Sequence, residues 1–260
     1  MITDALRRDF TGEKLMEFTY YAYESLISLL RENGYDFCGY RNYAAHKRCV
    51  IMRHDIDNSP SAALKMARLE ARCGISAAYF VLLRTDMYNP ASARSCAALR
   101  EIIALGHSVG LHFDEMACHN VVDIVQCIRR EAQILSEILD TQIDSVSMHR
   151  PSKGTLEADY KIPGMINSYS AEFFKGFKYL SDSRRHWREP VENIVAAGEY
   201  NRLHILTHPF WYGEREGSLE QSLKTFIDSA REERYNSLSE NIRDFEVVVG
   251  REYLTNGTEK

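Results

Sequence analysis

Asp55 and Asp57 stand one residue apart just past the apolar run Cys49-Val50-Ile51-Met52, inside Arg53-His54-Asp55-Ile56-Asp57-Asn58-Ser59-Pro60. Residues i and i+2 of an extended strand point the same way, so both carboxylates can face one pocket. Two carboxylates that close repel each other unless a cation or a proton lies between them, which points to a metal site. The plain alternative is a capped turn, since Asp and Asn are common where a strand gives way to a helix. Other apolar segments also end in ionisable residues: His112 and Asp114 close one, His149-Arg150 another, Asp182 a third and His208 a fourth. Asp55, Asp57, Asp182, His112, His149 and His208, gathered at successive strand ends, argue for a functional site.

The elements that must hold these residues alternate along the chain. Leu15, Phe18, Ala22, Leu26, Leu29 and Leu30 recur at helical spacing, and Asn33-Gly34 supplies a stop. A strand over about 48–53 leads through Ser59 or Ser61, either of which can cap, into a helix carrying Ala63, Met66, Ala67 and Leu69. The run Ala77–Leu83 is apolar at every position, as in a strand covered on both faces. Pro90 is expected to open a helix ending at Gly106, and His107–His112 forms the next strand. A long helix with Val122, Ile124, Val125, Ile128, Leu135 and Leu139 follows, with Asn120 as a candidate cap. Further strands fall near Ser145–Met148, Phe177–Leu180 and Leu203–Thr207, the stretch 152–174 reads as an irregular active-site excursion, and 218–249 as mostly helical. Repeated strand–helix units favour a parallel α/β sheet. Roughly six or seven strands in a chain of this length suggest a closed or nearly closed β/α barrel, with reactive groups at the strands' C-terminal ends. An open doubly wound sheet is the other candidate. One domain over 1–260 is expected, with an N-terminal helical segment and a C-terminal helix.

Composition excludes several classes. A formal charge of −5 gives no reason to expect nucleic acid. No Gly-x-Gly-x-x-Gly follows the first strand, which weakens nucleotide-binding readings. No stretch approaches the roughly 20 apolar residues of a membrane span, and the first residues lack a secretory layout, so a cytoplasmic protein is expected. Cys38, Cys49, Cys73, Cys96, Cys118 and Cys127 form no Cys-x-x-Cys pair and are expected to be reduced, mostly buried thiols.

From about Cys49 to Trp211 the chain resembles the polysaccharide deacetylases, the NodB-like carbohydrate esterases. That resemblance implies a metal-dependent hydrolase on a distorted β/α barrel of about seven parallel strands. Under it, Asp55 is the base and Asp57 a metal ligand, and Gly106-His107 leads to the metal ligand His112. His149-Arg150-Pro151 lines the groove with Arg150, Asp182 with Trp187 forms the fourth motif, and Ile205-Leu206-Thr207-His208 ends in the general acid His208. The family's second metal histidine, four residues after the first, is here Met116, a poor ligand for a hard or borderline ion. His149, from a neighbouring strand end, is the favoured third ligand, and His119 the alternative. His54 should point away from Asp57 by strand alternation.

The expected activity is removal of an N-acyl, chiefly N-acetyl, group from an amino sugar or its conjugate in surface glycan biosynthesis, with a divalent metal such as zinc and no nucleic-acid partner. Asp182 or Arg150 would orient one of the reacting groups. A metal-free amidohydrolase acting on a non-sugar amide and a non-catalytic carbohydrate-binding relic are the alternatives; the presence of a metal discriminates the first, and binding without hydrolysis the second.

Overall fold

The computed structural model describes residues 15–118 and 123–255. Two compact units divide the chain, one ending at Glu216 and the other starting at Gly217.

Among the described residues the first unit is built on eight parallel strands: β1 (Asp36–Phe37), β2 (Cys49–Ile56), β3 (Ala78–Leu82), β4 (Ser108–Asp114), β5 (Ser145–His149), β6 (Ile166–Asn167), β7 (Lys178–Ser181) and β8 (Arg202–Thr207). Seven follow the order β6-β5-β4-β3-β2-β8-β7, while β1 pairs with the first residues of β2. All pairings are parallel, because each strand after β2 is reached by a crossover. The result is the expected distorted β/α barrel; among the described residues β6 and β7 share no ladder, so it is open at that seam.

Strand alternation separates two cores. Val50, Met52 and Ile56 of β2, Tyr79 and Val81 of β3, and Leu203 and Ile205 of β8 pack outward against the helices. Cys49, Ile51, Ala78 and Phe80 point inward, where Tyr40, Phe173 and Phe177 complete a smaller cluster. Gly110 on the inward face of β4 makes room for it: a Cβ there would lie 2.5 Å from Ser145 Oγ and 2.6 Å from the Phe80 ring.

The helices that cover the sheet begin at identifiable caps. Thr19 caps α1 (Tyr20–Glu32), and Leu15 and Phe18, expected within the helix, are buried ahead of it. Ser59 caps α2 (Pro60–Arg72), whose first residue is proline, with its hydroxyl accepting the Ala62 N–H at 3.2 Å. Ser92 rather than Pro90 opens α3 (Ala93–Ala104), since only the serine side chain can accept a free N–H of the first turn. Asp123 caps α4 (Ile124–Leu139), accepting from Val125 and Gln126; Asn120, the expected cap, lies outside the described residues, as does Val122. The excursion over 152–174 is more regular than expected: it holds α5 (Lys153–Ala158), the edge strand β6 and α6 (Ala171–Phe174). A last helix, α7 (Val191–Ala197), precedes β8.

The expectation of six reduced thiols is corrected. Cys118, just past β4, and Cys127, in the first turns of α4, form a disulfide, while Cys38, Cys49, Cys73 and Cys96 are free. A spacing of nine residues carries no pairing signature; the turn after β4 and the start of α4 are brought together by packing.

The second unit is α8 (Leu219–Asn241), with a capping box between Ser218 and Gln221, followed by α9 (Phe245–Val248) and α10 (Glu252–Thr255). Its buried residue Tyr235 donates its hydroxyl to Val249 O at 2.7 Å and packs on Phe245. Among the described residues no helix is long and apolar enough to cross a membrane.

Candidate active site

Stacked positions on the inward faces of four strands converge at their C-terminal ends. On β2 the inward series is Cys49, Ile51, Arg53, Asp55 and then Asp57, just beyond the strand. β4 contributes His112, β5 contributes Ser147 and His149, and His208 directly follows β8.

Three atoms form a tight triangle. His112 Nε2 lies 3.2 Å from Asp57 Oδ1, His149 Nδ1 lies 3.4 Å from the same oxygen, and the two ring nitrogens are 3.1 Å apart. Asp57 Oδ1 is shielded from solvent yet makes no hydrogen bond of good geometry. Two imidazole nitrogens and an ionised oxygen turned toward one point are held together either by protons on the nitrogens or by a cation shared among them. Ligand atoms around a tetrahedral ion with bonds of about 2.0–2.1 Å are roughly 3.3 Å apart, so the donor set fits a zinc-sized divalent ion. Burial works against the Asp57 charge, but the contacts with His112 and His149 hold its carboxyl well below the usual range. The third atom of the group with Asp57 and His112 comes from His149, while Met116 is 58% exposed. His119 lies outside the described residues.

Beneath the triangle, Asp55 is gripped by a buried arginine from its own strand. Arg53 Nε donates to Asp55 Oδ1 at 3.0 Å and Arg53 Nη2 to Oδ2 at 2.7 Å. Burial would raise the Asp55 pKa, yet the Arg53 guanidinium beside it keeps it below the ordinary value. Arg53 Nη2 also reaches the Ser147 hydroxyl, which lies 3.3 Å from Asp55 Oδ1 and 3.1 Å from His112 Nδ1. The hydroxyl against Nδ1 leaves Nε2 of His112 to face Asp57, the kind of outer contact that fixes a ligand's orientation.

Opposite stands a second pair. Asp182, fully buried after β7, accepts from the His208 backbone N–H at 3.0 Å and lies 2.6 Å from His208 Nδ1. His208 Nε2 is thereby turned toward the cluster, 3.8 Å from Asp57 Oδ2. Burial works against an imidazolium here, but the Asp182 carboxylate, then Asp57 and Asp55, lift His208 to about 9. Trp187, the other residue of that motif, is buried in the outer core.

Of the residues singled out from sequence, Asp55, Asp57, His112, His149, His208 and Asp182 come together. Arg150 does not join them: it sits at a positive φ of 46°, its side chain is 73% exposed, and it pairs with Asp114 at 3.1 Å. The guanidinium on Asp55 is that of Arg53, which sequence reasoning passed over. Strand alternation, the rule that joined Asp55 to Asp57, also places Arg53 on their face; likewise Ser147 precedes His149 by two.

Comparison with protein-family models and with curated proteins returns no match. Among solved structures, the chain is similar in fold to the deacetylase PplD of Streptococcus pyogenes in complex with acetate, at 12% identity and a TM-score of 0.43, over 76% of this chain and 84% of that one. It is likewise similar to the CE4 domain of a multidomain xylanase from the hindgut metagenome of Trinervitermes trinervoides, at 12% identity and a TM-score of 0.40, over 72% and 85% of the two chains. A third is a CE4 family pseudoenzyme from Bacillus anthracis, at 10% identity and a TM-score of 0.40, over 72% and 62%. Overlaps this partial leave the chemistry to be read from the site itself.

Proposed function

We propose that the first unit is a divalent-metal-dependent hydrolase that removes a small acyl group, chiefly acetyl, from the nitrogen of an amino sugar or its conjugate. The observation that carries this is the Asp57–His112–His149 triangle set against the Asp182–His208 pair, with Asp55 between arginine and ion site. The motif resemblance supplies the substrate class, and surface glycan synthesis in the cytoplasm is the setting it suggests.

An amide resists hydrolysis because its carbonyl is a weak electrophile and its amine a poor leaving group. A divalent ion such as zinc, held by Asp57, His112 and His149, would supply a polarised carbonyl and an acidified water. Asp55 takes the water's proton: Arg53 uses one lone pair of Oδ2 and leaves another, while Oδ1 also meets the Ser147 hydroxyl. Arg53 also keeps Asp55 ionised and aimed. His208, protonated at neutral pH, donates from Nε2 to the departing amine, while Asp182 holds Nδ1 and compensates the imidazolium charge. The products are an amine and a carboxylate.

Elemental analysis of protein purified without chelator tests the ion site, with acetate release from N-acetylglucosamine oligosaccharides as the activity readout. We expect about one ion per chain in the wild type, lost in both Asp57→Ala and His149→Ala, with acetate release lost alongside. A wild type that retains no ion after zinc or cobalt is supplied overturns the proposal, and an ion kept by His149→Ala removes His149 from the ligand set.

A further inference from the structure

Directly behind the site, on the outer face of the sheet, lies a buried polar network that the chemistry above does not use. Glu70 of α2 is fully buried and accepts three hydrogen bonds: Tyr23 OH at 2.6 Å and His54 Nε2 at 2.8 Å on Oε1, and Tyr79 OH at 2.5 Å on Oε2. His107 Nδ1 approaches Oε2 at 3.6 Å. His54 continues the chain outward from Glu70, its Nδ1 lying 2.7 Å from Thr207 Oγ1. His54 and Thr207 are themselves buried completely.

Two features give this network a purpose. A carboxylate and its partners buried in an apolar layer contribute little to stability compared with well-packed hydrocarbon, so their value is more readily structural specificity. Its location is more telling. The β2–β8 ladder runs from Cys49↔Arg202 to His54↔Thr207 and stops there. The next residues on the two strands are Asp55 and His208, and both leave the ladder with their side chains turned inward. The His54–Thr207 hydrogen bond is therefore the last tie between the strands before the groups whose spacing matters. On its far side β2 stays paired to β3 as far as Ile56↔Val81, while β8 is held on its other edge by β7, through Ser181↔Leu206 and the His208 N–H to Asp182, so β8 can shift from β2 only together with the end of β7.

We propose that Glu70, His54 and Thr207 form a positioning clamp that sets the distance between His208 and the Asp55–Asp57 pair. Glu70 orients the His54 ring from behind, and the ring holds Thr207 at the end of β8. The inference rests on the hydrolase reading above for its kinetic test and is independent of it for its spectroscopic one. Displacements near 1 Å at a reacting centre can cost about a hundredfold in rate, so a loosened strand end is read in kcat.

The test compares Thr207→Val, which removes the hydroxyl at constant shape, with Thr207→Ser, which keeps it. With the metal content unchanged, Thr207→Val is expected to lower kcat about ten- to a hundredfold and leave KM unchanged, and Thr207→Ser to restore most of the rate. In parallel, the low-field proton NMR signal of the His208–Asp182 hydrogen bond is expected to broaden in Thr207→Val and to return in Thr207→Ser. A wild type that hydrolyses no acylated amino sugar, yet shows this NMR behaviour, sinks the hydrolase reading and keeps the clamp. Unchanged kcat and an unchanged signal in Thr207→Val overturn the clamp, as does a serine variant that behaves like the valine one. Should Thr207→Val fail to fold, Glu70→Gln removes the charge that orients His54 at constant volume. The clamp then requires a lowered kcat at unchanged KM, and a wild-type rate in that variant overturns it.

Discussion

Two histidines sit on the same inward face of β8, four residues apart, and their surroundings drive them in opposite directions. His204, near the start of β8, is wholly buried among Tyr40, Phe177 and Tyr179, with its Nε2 2.8 Å from the Tyr40 hydroxyl. Burial, aided by the nearby Arg53 charge, pushes it down to about 3, so it is a neutral packing residue. His208, one strand-turn higher, meets Asp182, Asp57 and Asp55 and rises to about 9 despite burial. One side-chain type on one strand is thus an inert wall or a proton donor, according to whether its layer holds aromatic rings or carboxylates.

The largest expected effect breaks the pair apart directly. His208→Gln should lower kcat by about 10²–10⁴, the usual worth of a positioned general acid. His204→Phe should leave kcat per folded molecule unchanged, as measured by acetate release. A comparable loss in both variants would show that the start of β8 takes part in the reaction.

A smaller effect sharpens the origin of the difference. In the wild type kcat/KM should fall on the alkaline side, where His208, held above its ordinary value chiefly by Asp182, loses its proton. Asp182→Asn removes the principal charge that raises it, so the alkaline limb should move toward the ordinary 6.5, as read from a pH–rate profile. A limb that stays in place would assign it to another group.

The smallest effect is on stability. Unfolded, both histidines titrate near 6.5. Between 6.5 and about 3 the unfolded chain takes up a proton that folded His204 refuses, so its contribution is present above 6.5 and lost as pH falls toward 3. His208 behaves in reverse: its contribution is full below 6.5 and is lost as pH rises through about 9. Urea melts should therefore show His204→Phe losing less stability than the wild type on the acid side, and His208→Gln losing less on the alkaline side. Parallel curves would mean that the two layers do not differ in proton affinity.

Much of the site was legible because strand alternation is local. The Asp55–Asp57 spacing, and the histidines or aspartate at four other strand ends, all follow from a period of two and from the position of the apolar runs. Arg53 was equally available by that rule and went unread, because an arginine inside an apolar strand looks like a boundary until a carboxylate is seen to pair with it. Arg150 was matched to a motif, but its exposed side chain pairs with Asp114 away from the carboxylates of the site. The Cys118–Cys127 link, the edge strand β6 and the short β1 left no periodic signal at all.

The amino-acid sequence by itself determined which residues line each face of each strand, because that depends only on the pleat and on the exclusion of polar groups from the outer core. It also determined where the helix after β2 starts, through Ser59. Tertiary structure alone decided which strand ends meet. His149 stands 3.1 Å from His112, and Asp182 2.6 Å from His208, across separations of 37 and 26 residues. Such distances depend on the relative register and curl of neighbouring strands, which arise from the packing of the whole sheet against its helices and have no counterpart in local periodicity.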